Sequence, residues 1–409
     1  MKILMLVPYL PTITMSGGQT RWYNIIKHLA KNHEITLFSL IKDESEKRFI
    51  PELKKYCRKV KVFLRPEKPW TVRNVFLSVF GPFPLLVIRN QSLEEKRAIK
   101  EELAEEKYDL IHAETFYVMP HLGKVSVPTI LVEQTIWHNV YKHYVDNEIP
   151  WILRLFFLED VIKVKFWEKY YWSKADRLFA VSEEDREEML KVVPNKDVGI
   201  IPNGVDSDYF IQKKKERRKP PRILYGVTNF EWLQNQEATR ILINDVWPKI
   251  KKEFSNAKVW IAGRKMPAWI KNLSKKDKDF ETSEDIPDAR DAYRRASFMV
   301  APIRGSGGTR LKILEAMATG LPVISTRVGV AGLRLKNKVN ALIADTSQEI
   351  ADYALMLLRD DRLAEKIGDA GREHVQKYFD WKSIVKLHDP IYKSLVTNKS
   401  LVKKSRQHV

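Results

Sequence analysis

Residues 297–326, SFMVAPIRGSGGTRLKILEAMATGLPVIST, read as strand, glycine-rich loop, helix and strand, with polar residues placed where the elements join. The apolar run 298–303 is of the kind that forms a buried parallel strand. Gly305, Gly307 and Gly308 permit backbone angles that other residues disfavour, so the chain turns there and exposes amides. Thr309 opens a helix on which Leu311, Leu314 and Ala318 recur at helical spacing, and Gly320 and Pro322 close it before a strand over 323–326. Free N–H groups and the positive end of the helix dipole make this junction an anion site, to which Arg310 and Lys312 add formal charge. Glu315 lies six residues into the helix, about 9 Å along its axis, within reach of a sugar hydroxyl attached to a phosphate bound at the start. The combination suggests a nucleotide; an ordinary glycine turn with a solvated Glu315 is the alternative. A P-loop is excluded because Gly308 is followed by Thr309 and Arg310, and a dinucleotide fingerprint needs a glycine where Arg310 stands.

Length and composition narrow the setting. A chain of 409 residues, 44% hydrophobic and 30% charged, has room for two α/β domains with full cores. The lone Cys57 excludes an internal disulfide and a cysteine zinc cluster. Residues 1–10 lack the length and cleavage site of a signal peptide and are read as a first strand. No run approaches the roughly 20 apolar residues that span a bilayer, so an integral membrane protein is not expected. The excess of 71 basic over 52 acidic residues, +19 overall, favours anionic lipid, nucleotide phosphates or nucleic acid. No zinc finger, RNA-recognition signature or basic zipper accompanies that charge, so no nucleic acid is expected. No carboxylate or histidine cluster has metal-ligand spacing, and no metal is expected.

In chain order, strands are expected over 2–8, 34–40 and 56–64, with a helix over 19–32 whose Trp22, Ile25, Ile26 and Leu29 share one face. Such βαβ succession makes an open doubly wound sheet. Residues 66–92 break the rhythm with prolines, aromatics, Arg73 and Arg89, which suits either a membrane interface or the core of a helical excursion. The strands over 108–113 and 128–133 end in His112 and Glu114, and in Glu133 and Gln134. These four are site candidates by position, because open α/β sheets bind ligands at the carboxyl ends of their strands. Residues 151–173 carry an aromatic stripe interleaved with lysines, again fitting core packing or lipid. Ser182 is placed to cap a helix. The charged run 212–221 marks a linker. A second βαβ set follows, with a strand over 222–227, a helix over 235–254 and a strand over 258–262 that leads to Gly263 and Arg264. After residue 343 the pattern is helical, ending in a basic tail.

The stretch GTRLKILEA resembles the donor-site segment of family 4 retaining glycosyltransferases with the GT-B fold, in the subgroup with Gly-Thr-Arg-Leu-Lys before Leu-Glu-Ala. IIPNGVD at 200–206 and ADRLFAVSEED at 175–185 extend the resemblance to nearly the whole chain. It implies a fold of two Rossmann-like doubly wound domains facing each other across a cleft, with a C-terminal helix crossing back to the first. The expected division is an acceptor domain over 1–205, a linker over 206–221, a nucleotide-sugar domain over 222–378, and a crossing helix with its tail over 379–409. The family pattern places Glu315 on the nucleotide ribose and Gly17 and Gly18 in the first loop, near the acceptor and the donor phosphates. The chain departs from it at three places: Gly307 stands where a sugar-contacting glutamate is usual, Glu114 where a catalytic histidine is frequent, and the loop with Asn229, Glu231 and Gln234 where an arginine and a lysine usually grip the diphosphate. Arg264, Arg310 and Lys312 are the candidate replacements for that grip.

The expectation is therefore an enzyme, a metal-independent glycosyltransferase that moves a sugar with retention from a nucleotide-sugar donor to a glycan or lipid-linked acceptor in cell-envelope polysaccharide or glycolipid synthesis. No cofactor is expected; the nucleotide sugar, UDP- or GDP-linked, is a substrate. His112 and Glu114 are the catalytic candidates. Donor binding falls to Asn229, Gly263, Arg264, Gly308, Thr309, Arg310, Leu311, Lys312 and Glu315, and acceptor binding to Gly17, Gly18, Glu133 and Gln134. The expected location is cytoplasmic, peripheral on the anionic inner face of the cell membrane. A non-catalytic nucleotide-binding or scaffold protein of the same fold and a sugar-nucleotide epimerase are the alternatives.

Overall fold

Apolar runs of four to eight residues become strands buried on both faces, and they assemble into two separate parallel sheets. A computed structural model describes residues 1–13, 17–65, 71–211, 220–284, 286–305 and 311–406. The chain divides into two compact units, Met1–Pro202 with Ile384–Val409, and Asn203–Ser383.

In the first unit, β1 (Lys2–Val7), β2 (Glu34–Ile41), β3 (Lys59–Leu64), β4 (Leu110–Glu114), β5 (Thr129–Val132), β6 (Arg177–Ala180) and β7 (Val198–Ile200) lie in the order β3-β2-β1-β4-β5-β6-β7, all parallel. Ile3 to Val7 are each at most 1% exposed, as a strand covered by helices on both sides requires. The helix Gly17–Leu29 buries Trp22, Ile25, Ile26 and Leu29, the face its spacing predicts. Ser182 caps Glu183–Val192 by accepting from the Asp185 amide.

In the second unit, β8 (Arg222–Asn229), β9 (Lys258–Arg264), β10 (Phe280–Glu284), β11 (Phe298–Ala301), β12 (Val323–Ser325) and β13 (Leu342–Ile343) run parallel in the order β10-β9-β8-β11-β12-β13. Both sheets reverse their winding at one place, between β1 and β4 and between β8 and β11. Ligands of such sheets sit beyond the strand ends at that reversal.

Three expectations are corrected. The strand expected over 298–303 stops at Ala301, because Pro302 has no N–H to offer a ladder. The single helix expected over 235–254 is Leu233–Ile241, a π turn Leu242–Val246, and Trp247–Glu253. Pro248 at the start of the last piece removes a donor from the i→i−4 ladder, and the wider turn absorbs the break. The terminal helix expected from 379 is also interrupted. Val205 bridges Asp380 in parallel, and the Asp380 carboxylate accepts from the Ser207 hydroxyl and amide, so helix restarts at Trp381–Val385 and again at His388–Arg406. Of the expected linker, residues 212–219 lie outside the described residues.

Candidate functional site

In the second unit the strand ends at the reversal gather most of the described donor candidates. β8 carries a bulge between Gly226 and Thr228, and β9 approaches it through Gly263, whose φ of +153° and position suit only glycine. A Cβ there would lie 2.2 Å from the Thr228 carbonyl oxygen. Arg264 ends β9 opposite Asn229, and its carbonyl accepts from the Phe230 amide at 3.0 Å. Asn229 turns the chain: its Oδ1 accepts from the Glu231 amide at 2.9 Å, and its backbone carbonyl accepts from Asn235 Nδ2 at 2.8 Å.

Lys312 comes to this loop from the helix Leu311–Ala318. Its Nζ donates to Asn235 Oδ1 at 2.7 Å and to the Tyr225 hydroxyl at 3.0 Å, and lies 4.6 Å above the Tyr225 ring. The loop that lacks a lysine and an arginine in sequence thus receives an ammonium in space. Leu311 is half-buried against the core. One turn further on, Glu315 accepts from the Tyr293 hydroxyl at 3.0 Å. Burial pushes the Glu315 carboxyl up to about 7, and the Tyr293 bond only partly offsets that rise. Tyr293 belongs to the helix Ala289–Arg295, where Arg290 chelates Asp288 and stacks 4.0 Å over the Tyr209 ring. Gly307, Gly308, Thr309 and Arg310 lie outside the described residues.

In the first unit the strand ends hold a buried ionic cluster. His112 and Glu114 on β4 are both 0% exposed. His112 Nε2 meets Glu114 Oε1 at 3.1 Å, and its Nδ1 meets the Tyr392 hydroxyl at 2.6 Å. Gln134 Nε2 donates to Glu114 Oε2 at 2.9 Å, and Arg21 Nε lies 3.7 Å from the same oxygen. Burial works to raise the Glu114 carboxyl, but Arg21, His112 and Gln134 outweigh it and bring its pKa down to about 2. Arg21 also donates through Nη1 to the Pro202 carbonyl at 2.9 Å. His388 stacks on His112 at 5.9 Å, and burial pulls its pKa down to about 3, so the ring is neutral.

Gly17 and Gly18 open the helix Gly17–Leu29, and a Cβ on Gly18 would stand 3.1 Å from Gln134 Oε1, so glycine lets that amide close in. Glu133 turns to a neighbouring group, accepting from Trp172 Nε1 at 3.0 Å; burial and the nearby Glu168 raise its pKa well above the usual range. The structure therefore brings together Gly18, His112, Glu114 and Gln134, with Glu133 alongside, and in the other unit Asn229, Gly263, Arg264 and Lys312, with Glu315 one helical turn away.

Sequence reading missed Arg21, Tyr392, Tyr225 and Asn235. Arg21 carried a signal, since it stands four residues before Ile25 and eight before Leu29 on the buried face of its helix. The others carried none, because each acts through a partner distant in sequence.

Similarity to known proteins bears on the family and the fold. A model described as Glycosyltransferase Family 4 matches residues 15–209, and one described as Glycosyl transferases group 1 matches residues 221–360. An uncharacterized glycosyltransferase of Methanocaldococcus jannaschii is 26% identical over 264 residues, covering 60% of this chain and 69% of the relative. An N-acetyl-alpha-D-glucosaminyl L-malate synthase of Bacillus anthracis is 26% identical over 235 residues, covering 54% of this chain and 60% of the relative. Among solved structures, sucrose-phosphate synthase from Thermosynechococcus elongatus superposes with a TM-score of 0.73 at 18% identity, over 97% of this chain and 99% of that one. Anabaena HepE in complex with UDP-glucose superposes with a TM-score of 0.64 at 14% identity, over 96% and 99%.

Proposed function

The chain is a glycosyltransferase of the GT-B fold, and we propose that it moves a sugar from a UDP-linked donor to a hydroxyl of a glycan or lipid-linked acceptor, with retention of configuration, in building cell-envelope polysaccharide or glycolipid. The observation that carries this reading is the delivery of Lys312 to the loop after β8, one turn from Glu315, at the reversal of the second sheet. Rupture of a glycosidic bond leaves negative charge on the departing diphosphate, and a fixed ammonium stabilises that charge without reorganising. Glu315, expected on the ribose, has the Tyr293 hydroxyl to orient it. The UDP-glucose complex of HepE favours uridine over guanosine.

Glu114 and His112, the catalytic candidates, support a positioning part in this scheme. Their polar atoms are turned to Arg21, Gln134 and Tyr392, and they fix the end of β4 beside the reversal. The test of the donor reading is calorimetric titration of the protein with UDP, GDP, ADP and CDP. UDP is expected to bind at micromolar strength and to lose at least tenfold in Glu315→Ala at unchanged melting temperature. Binding of none of the four would remove the donor assignment.

A peripheral membrane position has support of its own. The helix Val72–Phe80 packs on Arg154–Lys174 through Ser78, which donates to Asp160 at 2.6 Å. Val161, Val164 and Trp172 point inward, while Phe80, Trp151, Leu155 and Phe156 are 64–78% exposed, and Arg73, Lys165 and Lys169 on the same two helices are exposed as well. Exposed apolar side chains and cations on one pair of packed helices suit an anionic bilayer surface. Among the described residues no helix is long and apolar enough to cross a membrane. Flotation with vesicles containing phosphatidylglycerol is expected to carry the protein, and a Trp151→Asp, Phe156→Asp pair to reduce the bound fraction at least fivefold. Equal flotation of both proteins would refute this contact.

A further inference from the structure

We propose that the carboxyl end of the first sheet holds a subsite for an oxyanion carried by the acceptor, gripped by the guanidinium groups of Arg65 and Arg89 over a row of aromatic rings. Calling the ligand an acceptor rests on the transferase reading above; the anion site itself rests on two observations within the first unit.

The first is a continuous row of side chains with an arginine at each end. Arg65 follows β3 and lies 4.9 Å over the ring of Tyr9, just past β1. Tyr9 shares a hydrogen bond with Tyr117, and Tyr117 meets Trp137 edge-on at 5.9 Å. Trp137 meets Tyr141 at 6.1 Å. Arg89, following the short helix Leu85–Ile88, stands beside the Tyr141 hydroxyl, whose pKa burial raises and Arg89 opposes. The row thus crosses the place where the first sheet reverses its winding.

The second observation is an excess of buried donors along this row. Nε of Arg65, Nε of Arg89, Nε1 of Trp22 and Nε1 of Trp137 are buried without a hydrogen-bond partner. Trp22 lies 6.2 Å from Tyr9. A buried donor left unsatisfied is destabilising, so a cluster of them calls for a ligand or ordered water that supplies acceptors. Among the described residues no carboxylate lies within ion-pair distance of Arg65 or Arg89. A guanidinium held in no direct ion pair is matched in shape and charge by a phosphate or a carboxylate. Burial raises the pKa of Glu133, which borders the row at Tyr117, well above the usual carboxylate range and so favours its neutral form; Asp160 acts on Tyr141 and Glu46 on Arg65 from further off.

The probe is phenyl phosphate, titrated calorimetrically into the full chain with UDP present at saturation, so that phosphate cannot enter the donor site. Benzoate and phenyl β-D-glucoside serve as the carboxylate and neutral arms. Phenyl phosphate or benzoate is expected to bind at least tenfold more tightly than the glucoside, and whichever is tighter identifies the anion. That preference should fall at least tenfold in Arg65→Gln and in Arg89→Gln and stay unchanged in Arg73→Gln, an exposed arginine away from the row. A glucoside that binds as well as the anions, or glutamine variants that keep the preference, would overturn the proposal. Where a glutamine variant does not fold, the lysine variant decides: at least threefold weaker anion binding is expected from loss of the fork, and unchanged binding overturns. Failure of UDP to bind would count against the donor reading alone, since the same titration without UDP still reads the dependence on Arg65 and Arg89.

Discussion

Replacing Glu114 with alanine is expected to lower the calorimetric melting temperature of the first unit by about 6–20 °C, the equivalent of about 3–5 kcal/mol for stripping a buried cation of its partner. Arg21 and Glu114 are both fully enclosed, 3.7 Å apart, so the alanine removes the carboxylate that faces the buried guanidinium charge. Glu114→Gln keeps the amide and imidazole contacts and should cost less. The acid limb gives the same cause a second reading. A folded carboxyl at about 2 against an ordinary 4.5 contributes stability that is complete above 4.5 and drains away as the pH falls toward 2. The wild-type chain should therefore lose more stability than Glu114→Gln between pH 4.5 and 2. A melting temperature for Glu114→Ala within 1 °C of wild type would show that the ion pair carries no weight in the fold.

The second large effect concerns Glu315 and has the opposite sign. Its carboxyl keeps a proton up to about 7 when folded but releases it near 4.5 when exposed, so the unliganded chain loses stability as the pH rises through that interval. A ribose hydroxyl donates, and it therefore binds the ionised form. UDP-glucose, whose diphosphate does not titrate in this range, is expected to bind about tenfold more tightly at pH 8 than at pH 6, with one proton released on binding at the lower pH. Glu315→Gln should flatten the dependence and bind at the weaker level throughout. An affinity that stays constant from pH 6 to 8 in the wild type would take Glu315 off the ribose.

Both effects arise from contacts that a linear reading finds unequally. β1 and β11 were visible because parallel strands are apolar on both faces, and Ile3 to Val7 form an uninterrupted run. The Ser182 cap was visible because a cap is a local hydrogen bond, closed within three residues. Glu315 stood out because helix rise measures distance along one element. Nothing local announces that Tyr293 will meet it, or that Lys312 will fill a vacancy left in the loop 228–235. The aromatic stripe over 151–173 shows a further limit: its spacing put aromatics around the whole helix, and only the fold separates the inward Trp172 from the outward Phe156. The Asp380 bridge was hidden for another reason, since a helical pattern on both sides masks three residues claimed by a distant backbone.

The membership of residues 384–409 in the first unit bears on how the protein is made. Tyr392 and His388 complete the pocket that encloses His112, yet they leave the ribosome only after all of Asn203–Ser383 has been synthesised. At about 5–20 residues per second, that interval lasts about 10–40 s. During it the nascent first half carries an unfinished ionic centre, and the second unit, continuous in sequence, is able to mature first. Completion of the two units would then run against the order of the gene, the amino-terminal one closing only when the helix His388–Arg406 packs onto it.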